Sequence, residues 1–186
     1  LDVMNWIMNE FDNPHKKIKF VHVAGTNGKG SVCEMLNNVL IKSGYTVGKF
    51  ISPHLIKFND GIYINNKEIN DDEVEEILIP LSKKVEEYNQ THKIKVKWFE
   101  IITCLTLIYF AKKNCDIVVL ETGLGGTTDC TNIVDSLVSI ITNIGYDHMD
   151  VLGDSIEEIT MHKAGIIKEN SETVVVYQKG ITEIIE

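Results

Sequence analysis

The sequence predicts an α/β domain: a mostly parallel sheet with helices on both faces and a phosphate-binding loop of the P-loop kind. Two observations carry this. Short apolar runs without polar alternation recur as "IKFVHVAG", "DIVVLETG" and "SLVSIITNI", the pattern of strands covered on both faces, and helical spacing fills the stretches between them. The first run also ends in "GTNGKGS", a glycine-rich loop that opens a helix.

In chain order, Ile18–Gly25 reads as the first strand, and Val32, Met35, Leu36, Val39 and Leu40 then recur at helical spacing until Gly44 stops the helix. Thr46–Ser52 reads as a second strand, and Pro53 breaks the pattern. Gly61–Ile69 reads as a small hairpin turning at Asn65 and Asn66. The acids of "NDDEVEEIL" mark a helix start, where they complement the dipole, and Pro80 is expected to kink or divide that helix. Trp98–Lys113 is long enough to prefer a buried helix, and Asp116–Gly123 is a central strand. Ser136–Ile144 and Thr173–Tyr177 repeat that strand type. Between them Asp154 is the expected N-cap of a helix, with Glu157 three residues on as in a capping box. A sheet of this kind takes its ligands at the carboxyl ends of the strands.

Length and composition bound the answer. A chain of 186 residues with 44% hydrophobic content suits one domain, residues 1–186, with a sizeable core. A net charge of −9 argues against nucleic acid as the main partner, although an acidic protein still holds phosphates locally. Cys33, Cys104, Cys115 and Cys130 lie far apart without a C-x-x-C pair, which disfavours structural zinc or a disulfide framework and fits a reduced cytoplasmic setting. The most apolar stretch, Trp98–Ala111, is too short to span a bilayer and contains Glu100, and the N-terminus has no signal pattern, so no membrane partner is expected. The chain opens on Leu1 and its last residues, "ITEIIE", read as the start of a helix, so a fragment of a longer protein is expected.

Four positions carry chemistry. Gly25, Gly28 and Gly30 let backbone N–H groups turn inward, the helix start adds positive potential, and Lys29 supplies a mobile charge for β and γ phosphates. One residue separates Lys29 from Ser31, so the usual pattern, with the hydroxyl directly after the lysine, is not quite met. Glu121 ends the run "IVVLE", where a carboxylate holds Mg²⁺ directly or through water; the bland alternative is a solvated strand end. His148 follows another strand and falls at the same end of the sheet between Asp147 and Asp150, whereas a lone histidine is more often structural. Lys163 shares an apolar helical stripe with Ile156, Ile159 and Ile166, so it snorkels, pairs with a carboxylate, or has a depressed pKa and becomes a nucleophile. His162 falls on the stripe with Ser155 and Glu158 and reads as solvated.

The segments "HVAGTNGKGS", "FISPHL", "WFEIIT", "ETGLGGTTDCTN", "ITNIGYDHMDVLGDSIEEI" and "HKAGIIK" occur in that order. Together they resemble the successive motifs of the folylpolyglutamate synthase and dihydrofolate synthase family, which belongs with the Mur ligases. That resemblance implies the Mur ligase central-domain fold and an ATP-dependent ligase. In such an enzyme the γ-phosphate of ATP passes to a substrate carboxylate, and the amine of L-glutamate displaces phosphate from the resulting acyl phosphate. It also implies a phosphate loop with one extra residue, matching Gly30, and nucleotide contacts from Gly25, Thr26, Asn27, Gly28, Lys29, Gly30 and Ser31. By the same resemblance Ser52 and Glu121 hold one Mg²⁺, a second is shared by Glu121, His148 and a carbamylated Lys163, and Lys29, His148 and Lys163 are the catalytic group. A carbamate is an anionic oxygen ligand suited to Mg²⁺.

Phe99 and Asp129 match positions near the pterin in dihydrofolate-synthase-type members, so folate or dihydropteroate is the expected acceptor. A monomer is expected, with a glutamate-binding domain following the ATPase domain. The chain departs from the family at Thr127, usually basic, and at His162, usually Glu; "DCTN" stands where "DATN" is usual. The alternatives are a Mur-type peptidoglycan-precursor ligase and a non-catalytic nucleotide-binding module. A P-loop switch or kinase is disfavoured, because the chain has no N-K-x-D motif and no Asp ending "IVVLE".

Overall fold

The computed structural model describes residues 1–52 and 59–185. Its sheet runs β4-β3-β2-β5-β1-β6-β7. The strands are β1 (Lys19–Ala24), β2 (Val47–Phe50), β3 (Ile62–Ile64), β4 (Lys67–Glu68), β5 (Ile117–Glu121), β6 (Ser136–Ile141) and β7 (Glu172–Val175). β2, β5, β1, β6 and β7 pair in parallel, and β3 and β4 add an antiparallel edge. β1 lies between β5 and β6, so the loops that follow these three strands emerge side by side.

The helices cover both faces, as predicted. They are α1 (Asp2–Glu10), α2 (Lys29–Lys42), α3 (Asp71–His92), α4 (Trp98–Lys112), α5 (Met149–Leu152), α6 (Ile156–Ala164) and α7 (Thr182–Ile185). Strand side chains alternate between faces, and the adjacent Val118 and Val119 fall in different clusters. Val118, with Phe20, Phe50 and Leu120, packs under α1, α3 and α4. Val119, with Val21, Val23 and Val47, packs under Cys33, Leu36 and Leu40 of α2. Ala24 and Ile141 pack with Ile159 and Ile166 at the α6 end. α4 is buried along most of its length, which is why its sequence lacks a polar face.

The hairpin turns where expected, because Asn65 and Asn66 both adopt left-handed φ of 49° and 64°, a conformation asparagine tolerates. Four expectations need correction. α2 buries Cys33 and Asn37, while Met35 and Val39, counted on the apolar stripe, are exposed. The true stripe lies one position over and contains a polar residue: Asn37 Nδ2 donates to Asn66 Oδ1 at 2.6 Å, tying α2 to the hairpin. Pro80 does not divide α3, because it is exposed and the stripe of Ile77, Leu81, Val85 and Tyr88 stays buried through it. The α6 cap is Ser155 with Glu158, one residue later than expected. β7 is an exposed edge strand and not a central one, since among the described residues only β6 pairs with it. Pro53 and the remainder of "SPHL" after Ser52 lie outside the described residues.

Among the described residues the four cysteines are free and no helix is long and apolar enough to cross a membrane. The cap correction is testable. Ser155→Ala should lower the stability of the fold by about 1 kcal/mol in urea unfolding, whereas Asp154→Ala should leave it within a few tenths.

Candidate functional site

The chain leaves β1 through Gly25, whose φ of +149° and surroundings demand glycine. A Cβ there would stand 1.8 Å from Thr142 Oγ1 and 3.1 Å from the Asn143 carbonyl. The loop is pinned to the end of β6: Thr26 N donates to Asn143 O at 2.7 Å, and Asn27 N donates to Asn143 Oδ1 at 2.8 Å. Gly28, left-handed at φ 83°, is the N-cap of α2 and offers no side chain to cap it. The amides of Lys29, Gly30 and Ser31 therefore open the helix without intrahelical partners, a geometry ready for an anion.

Three polar side chains meet around this loop. Lys29 Nζ turns back onto the carbonyls of Gly25 and Thr26, at 3.2 and 3.5 Å, and stands 3.9 Å from Glu121 Oε1. Glu121, buried at the end of β5, accepts from Ser52 N at 3.3 Å. Burial pushes its carboxyl pKa up, and Lys29 and the Ser52 amide only partly offset this. Lys163 comes from α6 on the other side and donates to Gly25 O at 3.0 Å, so both lysines share one carbonyl oxygen. Desolvation, with the like charge of Lys29, pushes the Lys163 amine down to about 8, against a smaller opposing effect of Asp147. The buried Glu121 carboxylate is an oxygen donor that fits a hard cation, and Lys163 is linked to it through Lys29 and the shared Gly25 carbonyl.

These groups adjoin a cleft of about 810 Å³ lined by Thr26, Lys29, Ser52, Phe99, Gly123, Leu124, Asp129, Asp147 and His148. Phe99, at the start of α4, lies over Gly123, where a Cβ would approach its ring to 2.6 Å. His148 stands at left-handed φ 49° as the N-cap of α5, with Nε2 3.7 Å from Asp147 Oδ2. Among the described residues no hydrogen bond or ion pair joins His148 to Glu121 or Lys163. Nor do three or more His, Cys, Asp or Glu cluster there to hold a metal ion.

Asp129 faces the cleft, yet its carboxylate is already used: it accepts from Leu124 N at 2.8 Å, from Thr131 N at 2.9 Å and from the Thr131 hydroxyl. It thereby folds the Gly123–Gly126 turn. Burial raises its pKa and these donors act against the rise. Behind it Thr131 Oγ1 lies 2.8 Å from Nε2 of His22, buried on β1, and desolvation pushes His22 down to about 3. Since the threonine hydroxyl gives its only hydrogen to Asp129, the neutral imidazole donates from Nε2.

The fold thus links Ser52 to Glu121, Glu121 to Lys29, and Lys29 through the Gly25 carbonyl to Lys163, and it sets Phe99, Asp129 and His148 along the adjoining cleft. His162 departs from its solvated reading: it is half-buried, its carbonyl accepts from Thr127 N at 2.8 Å, and its shielded Nδ1 has no hydrogen-bond partner among the described residues, because the glycine turn packs across it. Asn143 and Thr142 were not singled out from the sequence, and Asp147 entered only as a neighbour of His148. Their signal was position, since all three follow β6 at the end of the sheet where β1 opens into the loop.

Residues 23–183 match the Mur ligase middle domain family. The chain is 46% identical over 167 residues to the dihydrofolate synthase/folylpolyglutamate synthase of Bacillus subtilis, a match covering 89% of this chain and 39% of that protein. It superposes on folylpolyglutamate synthase from Thermotoga maritima with a TM-score of 0.90 and 35% identity, over 99% of this chain and 42% of the other. An FPGS–AMPPCP–folate complex gives a TM-score of 0.93 and 34% identity, over 98% of this chain and 45% of the other. The chain therefore spans about two fifths of the length of these relatives.

Two measurements check the geometry. Gly25→Ala should destabilise the fold by about 2 kcal/mol or more in urea unfolding, through the clash with Thr142. The depressed Lys163 amine predicts a pH dependence. Between about 8 and the ordinary 10.5 the unfolded chain holds a proton that the folded chain has lost, so stability should rise with pH across that window. Lys163→Met should remove this rise; its persistence would show that the amine is not depressed.

Proposed function

Since the chain belongs to the Mur ligase middle-domain family, in its folylpolyglutamate and dihydrofolate synthase branch, we propose that it is the ATP-binding ligase domain of an enzyme that joins L-glutamate to a folate or dihydropteroate carboxylate. The reading carries with it a glutamate-binding domain outside these residues, a cytoplasmic setting and a monomer. The observation that carries it is that Lys29 and Lys163 share the Gly25 carbonyl, with Glu121 3.9 Å from Lys29, at the mouth of an uncapped helix.

In this reading the amides at the start of α2 and the Lys29 ammonium bind the β and γ phosphates, Lys29 leaving its resting place on the Gly25 and Thr26 carbonyls. Ser52 and Glu121 would hold one Mg²⁺, and Glu121, His148 and a carbamylated Lys163 would hold a second. Bound there, Mg²⁺ supplies charge stabilisation for the transferred phosphoryl group. The carbamate forms when the neutral Lys163 amine adds to CO₂ and releases a proton, which a depressed pKa favours. Lys29 opposes the negative charge that builds as the γ-phosphoryl passes to the acceptor carboxylate. The glutamate amine then attacks the acyl carbon, phosphate leaves, and an amide, ADP and phosphate result. Phe99 and the Asp129-held turn give the acceptor an aromatic wall and a shaped backbone along the cleft.

The test is ADP release by the full-length protein with Mg²⁺ and L-glutamate, offering dihydropteroate and tetrahydrofolate separately. Turnover with at least one is expected, and Lys29→Met or Glu121→Gln should lower kcat at least 100-fold, on the order of the loss of one transition-state contact. Turnover with neither, in a protein that still hydrolyses ATP with another carboxylate acceptor, would move the reading to a peptidoglycan-type ligase. Carbamylation has its own readout: ¹³C-bicarbonate should give a carbamate resonance at pH 8 that is absent from Lys163→Met.

A further inference from the structure

Beyond β7 the side chain of Gln178 reaches back to the loop that follows β6. Gln178 applies both ends of its amide to one residue: Oε1 accepts from Ile144 N at 2.6 Å, and Nε2 donates to Ile144 O at 3.0 Å. Two bonds to successive edges of one residue set its rotation as well as its position, because an amide carries its donor and acceptor in a rigid plane. Ile144 is buried, and among the described residues no other group bonds its N–H or C=O. Without Gln178 both would be left unsatisfied, at a desolvation cost the loop would relieve by moving.

Gly145 comes next, and its pairing is reciprocal. Gly145 N donates to Thr26 Oγ1 at 3.0 Å while the Thr26 hydroxyl donates to Gly145 O at 3.1 Å. Thr26 belongs to the phosphate loop and lines the cleft, as do Asp147 and His148, which follow Gly145 in the chain. Gln178 is itself anchored from behind. Its N–H donates to Thr182 Oγ1 at 2.9 Å, the Thr182 hydroxyl donates to Gln178 O at 3.1 Å, and Thr182 N donates to the same oxygen at 2.9 Å. Hydrogen bonds therefore run without a break from the start of α7, through Gln178, Ile144 and Gly145, to Thr26.

We propose that Gln178 is a positioning residue of the nucleotide site: its amide clamps Ile144 so that Gly145 holds Thr26 and the Asp147–His148 turn keeps its place along the cleft. This rests on the nucleotide-binding role given to the loop above. Gln178 touches no reacting group; it acts through the backbone of residues 144–145. It follows that the segment beyond β7, at the sheet's exposed edge, sets the order of a loop at the sheet's centre.

The full-length protein is compared with Gln178→Glu, Gln178→Ala and Thr182→Ser. Glutamate keeps an acceptor for Ile144 N and sets a second oxygen against Ile144 O, so it separates the two-point clamp from mere occupancy. Amide hydrogen exchange at Ile144 and Gly145, thermal melting, and Mg²⁺–AMPPCP binding by calorimetry are read together. In Gln178→Glu and Gln178→Ala exchange at Ile144 and Gly145 should quicken at least about 10-fold, with β1 and β5 amides unchanged, and AMPPCP affinity should fall about 10-fold. Thr182→Ser keeps the hydroxyl and should match wild type in both. Faster exchange with unchanged AMPPCP affinity, or unchanged exchange, overturns the proposal. A wild-type protein that binds no AMPPCP overturns the nucleotide reading instead, and is told apart because exchange at Ile144 still responds to Gln178.

Discussion

Two ammonium groups share the carbonyl oxygen of Gly25, and much of the architecture serves to keep them there. Lys29 approaches from α2 and Lys163 from α6, helices that lie over opposite faces of the sheet. Like charges held this close repel, and the nearby anion, Glu121, is 3.9 Å from Lys29 and weakened as a carboxylate by its own burial. The arrangement is thus short of negative charge. Phosphate and carbamate are the anions that the proposed chemistry brings to it, and the two ammonium groups are placed to oppose their charge.

The convergence depends on strand order. With β1 between β5 and β6, Gly25, Glu121 and Thr142 fall beside one another at the strand ends, while Lys163 and Phe99 reach the site from α6 and α4. Parallel pairing points all three strands the same way, so each contributes its carboxyl-end loop to the same edge. The packing below is tight enough to leave little choice of residue: Gly25 meets Thr142, Gly123 meets Phe99, and Gly126 meets the carbonyls of His162 and Lys163. Glycine in these loops is a steric consequence of the crossing as much as a device for binding anions.

Much of this was legible beforehand. The apolar runs marked the parallel strands because strands covered on both faces lose their polar alternation, and the loop after β1 was placed by its neighbours. Misreadings came where two patterns compete. Asn37 hides the buried stripe of α2 because its polarity is satisfied across the hairpin by Asn66, information absent from the helix itself. Asp154 and Ser155 are both good caps, each followed three residues later by Glu, and only the turn before α6 chooses between them. β7 looks central because its residues are apolar, yet pairing alone decides whether a strand has one neighbour or two. His162 looked solvated because its own helix gives no hint of the glycine turn that lies across it.

By itself the sequence determined the fold class and the glycine-rich loop with its additional Gly30, and it singled out Lys29, Glu121, His148 and Lys163 as the candidates for the chemistry. Those follow from local periodicity, glycine spacing and the cost of an ammonium on an apolar face, all of which act within a few residues. Tertiary structure alone decided that Lys29 and Lys163 meet on one oxygen, that Asp129 spends its carboxylate on the Gly123–Gly126 turn, and that Gln178 holds Ile144 from beyond β7. These are contacts between segments distant along the chain, set by strand order and register, which no single segment encodes.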